Sequence, residues 1–129
     1  MSRTILVVDD EPNARSLLRL ILVSAGFEVL VAQDGYEALN EVENKIPDAM
    51  ILDIMMPGID GFEVCEKLRS NEKTATLPII MLSARADPES VNKGLRVGAT
   101  KYLTKPVTPE MLTKQVHEVL SIEGLPSSQ

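Results

Sequence analysis

Apolar residues in this chain gather into short runs, and each run is followed by a stretch with helical spacing. Ile5-Leu6-Val7-Val8, Ala49-Met50-Ile51-Leu52 and Pro78-Ile79-Ile80-Met81-Leu82 are continuous rather than alternating. Uninterrupted runs of this length predict strands buried on both faces of a parallel sheet that helices cover. The pattern places strands at residues 4–8, 28–32, 49–53, 78–82 and 101–104. A helix over about 12–25 carries the stripe Leu17, Leu18, Ile21 and Leu22, and Gly26 closes it. Asp34-Gly35 opens a second helix, to about 44, with Ala38, Leu39 and Val42 facing inward. Pro57-Gly58 and Asp60-Gly61 mark a turn before a third helix over about 61–70. Asp87-Pro88-Glu89 reads as a cap, a first-turn proline and an acid near the helix's positive end. That fourth helix ends near Gly98, and Thr108-Pro109-Glu110 repeats the signal for a fifth, whose inward face is Leu112, Val116, Val119 and Leu120.

The polar residues that end the apolar runs add chemistry to this frame. The first run ends in Asp9-Asp10, the second in Asp53 and the third in Ser83, while Tyr102-Leu103-Thr104 leads into Lys105-Pro106. In parallel sheets ligands bind beyond the carboxyl ends of the strands, so three carboxylates, a hydroxyl and an ammonium group should converge there. Three ionised acids repel one another unless a cation is present, and a hard divalent ion such as Mg²⁺ relieves the repulsion. Taken singly, each acid is an ordinary helix cap or strand end. The combination with Lys105 and Ser83 points to a metal-dependent anionic pocket. Lys105 sits directly before a proline that restricts its backbone, and a lysine among carboxylates can later bind a phosphate.

Composition narrows the function. One domain is expected over residues 1–124, with 125–129 a flexible tail or the start of a linker. A net charge of −6 and only 3% aromatics argue against a nucleic-acid surface. No run approaches the roughly 20 apolar residues of a membrane span. A single cysteine, Cys65, excludes an internal disulfide; its neighbours Phe62, Val64 and Leu68 mark it as a small buried hydrophobe. With no signal-peptide pattern at Met1-Ser2-Arg3, a cytoplasmic location is expected. The lone histidine, His117, reads as a solvated helix residue. Lys93, Arg96 and Lys101 are either ordinary surface charges or a face for an acidic partner.

The chain resembles the receiver domains of two-component response regulators. Val8-Asp9-Asp10-Glu11, Leu52-Asp53-Ile54-Met55-Met56-Pro57-Gly58-Ile59-Asp60-Gly61, Leu82-Ser83-Ala84-Arg85 and Tyr102-Leu103-Thr104-Lys105-Pro106 carry the resemblance, over residues 4 to about 122. It implies a (βα)5 flavodoxin-like, doubly wound α/β sandwich with strand order 2-1-3-4-5. It also implies that Asp53 accepts a phosphoryl group from a sensor histidine kinase or a histidine phosphotransfer protein. Asp10 would bind Mg²⁺ directly and Asp9 through water, with Asp53 and the Met55 carbonyl completing the protein ligands. Ser83 would be the switch hydroxyl, Lys105 the ion-pair partner of the phosphoryl group, and Tyr102 the aromatic that reorients with Ser83. The Lys105–Pro106 bond would be cis. Fourth helix, fifth strand and fifth helix would form the face that controls a downstream target or an output domain. Met55 and Arg85, two residues after the acceptor and two after the switch hydroxyl, would set how fast water removes the phosphoryl group; Arg85 could cover the pocket mouth or pair with Glu11 or the phosphoryl oxygens. The resemblance makes the chain a signalling domain rather than an enzyme, assisting its own phosphorylation and dephosphorylation. Thr100-Lys101 stand where one dimerising subgroup has an acid pair, so an unphosphorylated monomer is expected.

Other readings of the same pattern fare worse. A haloacid-dehalogenase-type phosphatase wants a second acid two residues after its nucleophile, where this chain has Met55. Asp9-Asp10-Glu11 would repel the phosphate of a flavodoxin cofactor, and no Gly-x-Gly-x-x-Gly run supports a Rossmann site. An unphosphorylated scaffold would have lost acids or the lysine, and none is missing.

Overall fold

The computed structural model describes residues 2–124. Ten elements alternate strictly: β1 (Thr4–Val8), α1 (Pro12–Ser24), β2 (Glu28–Ala32), α2 (Gly35–Asn44), β3 (Ala49–Leu52), α3 (Gly61–Arg69), β4 (Ile79–Ser83), α4 (Pro88–Arg96), β5 (Lys101–Thr104) and α5 (Pro109–Gly124). The five strands form one parallel sheet in the order β2-β1-β3-β4-β5. The expected tail lies outside the described residues.

Alternation of side chains across the pleat divides the core in two. Leu6, Val8, Met50, Leu52, Ile79 and Met81 face α2 and α3, packing with Ala38, Val42, Phe62, Val64, Cys65 and Leu68. Ile5, Val7, Ala49, Ile51, Ile80 and Leu82 face α1 and α5, packing with Leu18, Leu22, Leu112, Val116 and Val119. Every residue of β1, β3 and β4 is buried, as continuous apolar runs demand, whereas edge strands β2 and β5 are partly exposed.

Each helix start has a physical cause. Asp34, Asp60 and Asp87 accept the backbone N–H three residues on at 2.8–2.9 Å, and Thr108 does the same for Met111 at 3.1 Å. Glu11 caps α1 by accepting from the Ala14 N–H at 2.7 Å. Gly26 and Gly98 follow α1 and α4 with φ of +98° and +116°, where a side chain would be strained.

The structure corrects one part of the apolar reading. Leu17 is 57% exposed, and Leu20 and Val23 also face outward. Only Leu18 and Leu22 are buried on α1, with Ile21 half-buried, so the inward stripe is narrower than the sequence suggests. His117 is exposed, as expected, with its ring 5.3 Å from that of Phe27.

Candidate functional site

The pocket is built where β1 and β3 end side by side. Register pairs Val8 with Leu52, and the Asp53 N–H donates to the Val8 carbonyl at 3.0 Å. That bond carries β3 one residue further, and the Asp9 N–H donates to the Ala32 carbonyl of β2 at 3.2 Å, so Asp9 and Asp53 stand side by side just past the two strands. One oxygen from each of Asp9, Asp10 and Asp53 lies within 4.8 Å of the others. Asp9 and Asp53 are buried, while Asp10 is exposed and opens the cluster to water.

Lys105 reaches in from the end of β5. Its Nζ is 3.0 Å from Asp9 Oδ2 and 3.9 Å from Asp53 Oδ2. At rest the lysine is held chiefly by Asp9. The Lys105 N–H donates to the Ser83 carbonyl at 2.8 Å, so a backbone hydrogen bond joins the ends of β4 and β5 at these two residues. The Lys105–Pro106 bond is cis, as the resemblance implies.

Burial is the largest influence on the Asp53 carboxyl, which is pushed up to about 6. Lys105 opposes that rise, Asp9 adds to it, the Met55 N–H opposes it and Asp10 adds a little. Mutual repulsion of the acids, the cause expected from sequence, is real but secondary. Exclusion of water around Asp53 matters more.

Ser83 is fully buried, and its hydroxyl accepts from the Arg85 N–H at 3.1 Å. Tyr102 donates its hydroxyl to the Arg85 carbonyl at 2.6 Å. Ser83 and Tyr102 thus meet at Arg85, in the loop after β4. Met55 is exposed at the pocket mouth, with its Sδ 3.7 Å from Arg85 Nη1. Arg85 also lies 3.8 Å from Asp87. The suggested Arg85–Glu11 pair is not what forms, because Glu11 is occupied in capping α1.

Three supports escaped the sequence reading. Arg15 donates to the Asp9 carbonyl at 2.8 Å and Glu11 N–H to Asp9 Oδ1 at 3.0 Å, fixing the first acid from both sides. Gly61 begins α3 against the backbone of Asp53: a β-carbon there would lie 2.5 Å from the Asp53 carbonyl oxygen. The Asp60-Gly61 pair signals a turn, but nothing local shows that the turn folds back on Asp53. Lys101 pairs with Glu118 at 2.6 Å and Lys93 lies 4.6 Å over the Phe62 ring, so two of the three basic residues Lys93, Arg96 and Lys101 have partners within the domain.

A family model for the response regulator receiver domain matches residues 5–117. The chain belongs to the response-regulator receiver family. This receiver domain is 40% identical over 131 residues to the alkaline phosphatase synthesis transcriptional regulatory protein PhoP of Bacillus subtilis, covering all of this chain and 54% of that protein. It is 38% identical over 124 residues to the phosphate regulon transcriptional regulatory protein PhoB of Pseudomonas aeruginosa, covering 96% and 54% respectively. The chain therefore spans about half the length of these relatives. Among solved structures, the chemotaxis protein CheY4 of Vibrio cholerae superposes with a TM-score of 0.88 at 37% identity, over 92% of this chain and 99% of that one. A CheY-like receiver domain protein from Methanospirillum hungatei gives 0.89 at 30% identity, over 95% and 97%. No described helix of this receiver domain is long and apolar enough to cross a membrane.

Proposed function

We propose that this receiver domain is a phosphorylation-driven switch in which Asp53 takes a phosphoryl group from the histidine of a cytoplasmic sensor kinase or phosphotransfer protein. One observation carries the reading: a buried aspartate whose neighbours are two more carboxylates within 4.8 Å and a lysine 3.9 Å away. A lone structural carboxylate needs no such company. Asp9, Asp10 and Asp53 are hard oxygen donors converging at a half-open site, which fits Mg²⁺. Bound there, Mg²⁺ would neutralise the acids and the charge of the incoming phosphoryl group.

The residues of the chain do the rest. Asp53 must be ionised to attack phosphorus in line, and Lys105 favours that form while its ammonium stays close enough to pair with the transferred oxygens. The leaving histidine nitrogen departs as the new Asp53 O–P bond forms. Phosphorylation then adds about 1.5 to 2 negative charges and strong acceptor oxygens beside Ser83 and Lys105. These residues contact the two charge states differently, which is what shifts a two-state equilibrium. The Ser83 hydroxyl would leave the Arg85 N–H for a phosphoryl oxygen, and the Arg85 backbone would carry Tyr102 with it. The face of α4, β5 and α5 is the surface proposed to meet a target protein or an output domain. Incubation with acetyl phosphate and Mg²⁺ should add one phosphoryl mass to the wild type and none to Asp53→Asn. Equal labelling of both would refute the acceptor assignment.

A further inference from the structure

Gly94 lies buried within α4, although glycine is the least favoured residue other than proline inside a helix. Its surroundings explain it. A β-carbon at 94 would come within 2.7 Å of Tyr102 Cδ2, 3.1 Å of Tyr102 Cε2 and 2.9 Å of Met81 Sδ. The thioether end of Met81 belongs to a flexible side chain and can yield. The tyrosine ring cannot yield so easily, because its hydroxyl is bonded to the Arg85 carbonyl at 2.6 Å. Ring and helix backbone pack directly together, with no side chain of α4 between them at this position.

This packing completes a chain of touching groups. Ser83 Oγ holds the Arg85 N–H, the Arg85 carbonyl holds the Tyr102 hydroxyl, and the Tyr102 ring lies on the α4 backbone at Gly94. We infer that Gly94 is a positioning residue whose missing side chain admits the Tyr102 ring against α4 and makes the helix sense where that ring is. The inference rests on the phosphoryl-acceptor reading, since displacement of Ser83 by the new phosphoryl oxygens supplies the motion. Two arrangements follow: the ring seated on Gly94, or the ring swung outward and away from the helix. Alanine at 94 would favour the second, because its β-carbon occupies the ring's seat.

The test uses the full chain carrying Tyr36→Phe, which leaves Tyr102 the only tyrosine of the two in the sequence. ¹³Cζ-tyrosine NMR then reports one resonance. Acetyl phosphate with Mg²⁺ should move it, and Gly94→Ala should shift it toward the value of free tyrosine and remove most of that response. Thermal melts supply a second measurement. Gly94→Ala should lower the Tm when Tyr102 is present and raise it when Tyr102→Ala removes the ring, because alanine is otherwise the better helix former. An unmoved resonance, or the same Tm change in both backgrounds, overturns the inference. If Gly94→Ala alone does not fold, rescue by Tyr102→Ala supports it and failure of rescue overturns it. Mass labelling of the wild type separates the two levels: a labelled protein with a static Tyr102 resonance defeats the link alone. An unlabelled one defeats the acceptor reading beneath it.

Discussion

Asp53→Asn should make the metal-free protein more stable at neutral pH, even though it deletes the proposed acceptor. The carboxyl of Asp53 rises from 3.8 to about 6, first because it is buried and then because Asp9 and Asp10 are near. The sign follows from proton binding. Below pH 3.8 the group is protonated whether the chain is folded or not, and its titration makes no difference. Between 3.8 and 6 the unfolded chain releases the proton while the folded chain keeps it, so stability falls as pH rises. Above pH 6 the whole penalty applies. A rise of roughly two units is worth up to about 3 kcal/mol, and water reaching the cluster past exposed Asp10 reduces this to about 2 kcal/mol. Asparagine keeps the shape and removes the charge. An unfolding entropy of about 0.27 kcal/mol/K for a chain of this length converts 2 kcal/mol into a Tm increase of about 7 °C. Circular-dichroism melts in EDTA at pH 8 should show that increase, and melts at pH 4.5 should show much less of it. Adding Mg²⁺ at pH 8 should raise the wild type and narrow the gap. Equal or lower stability of Asp53→Asn at pH 8, or a gap independent of pH, would refute the reasoning.

Other expectations concern the metal, the lifetime of the signal and assembly. Mg²⁺ at ten times its Kd should stabilise the wild type by about 1.4 kcal/mol, a Tm increase near 5 °C, and Asp10→Ala should remove most of it; a melt insensitive to Mg²⁺ at low salt would count against the site. Met55 presents a thioether, not an amide, at the pocket mouth beside Arg85, and so cannot orient an attacking water. Phosphoryl-Asp53 should last minutes or longer by loss of radiolabel, and Met55→Asn should shorten that; decay within seconds, or no effect of the substitution, would contradict the shielding. The unphosphorylated chain should scatter light as a monomer at micromolar concentration, because Thr100-Lys101 provide no acids before Tyr102 and Lys101 is already paired with Glu118; a constitutive dimer would overturn this.

The order of elements and the convergence of Asp9, Asp10, Asp53 and Lys105 were legible in the sequence. Continuous apolar runs at 4–8, 49–53 and 78–82 could be stable only as interior strands, and the polar residues ending them could only gather at the sheet's carboxyl edge. Capping residues Asp87 and Thr108 marked the starts of α4 and α5 almost to the residue, because a cap acts within three positions of itself. What the tertiary structure alone decided lies between residues far apart in the chain. Lys105 sits nearer Asp9 than Asp53, burial outweighs repulsion at Asp53, and Leu17 faces solvent although its spacing suits a core stripe. Gly61 against the Asp53 carbonyl and Gly94 under the Tyr102 ring look like a turn residue and a helix weakness when read along the chain. Periodicity and capping are local, so sequence by itself determines which elements form and what chemistry they carry. Distances, desolvation and steric fit depend on which distant atoms share a volume, and only the packed structure sets those.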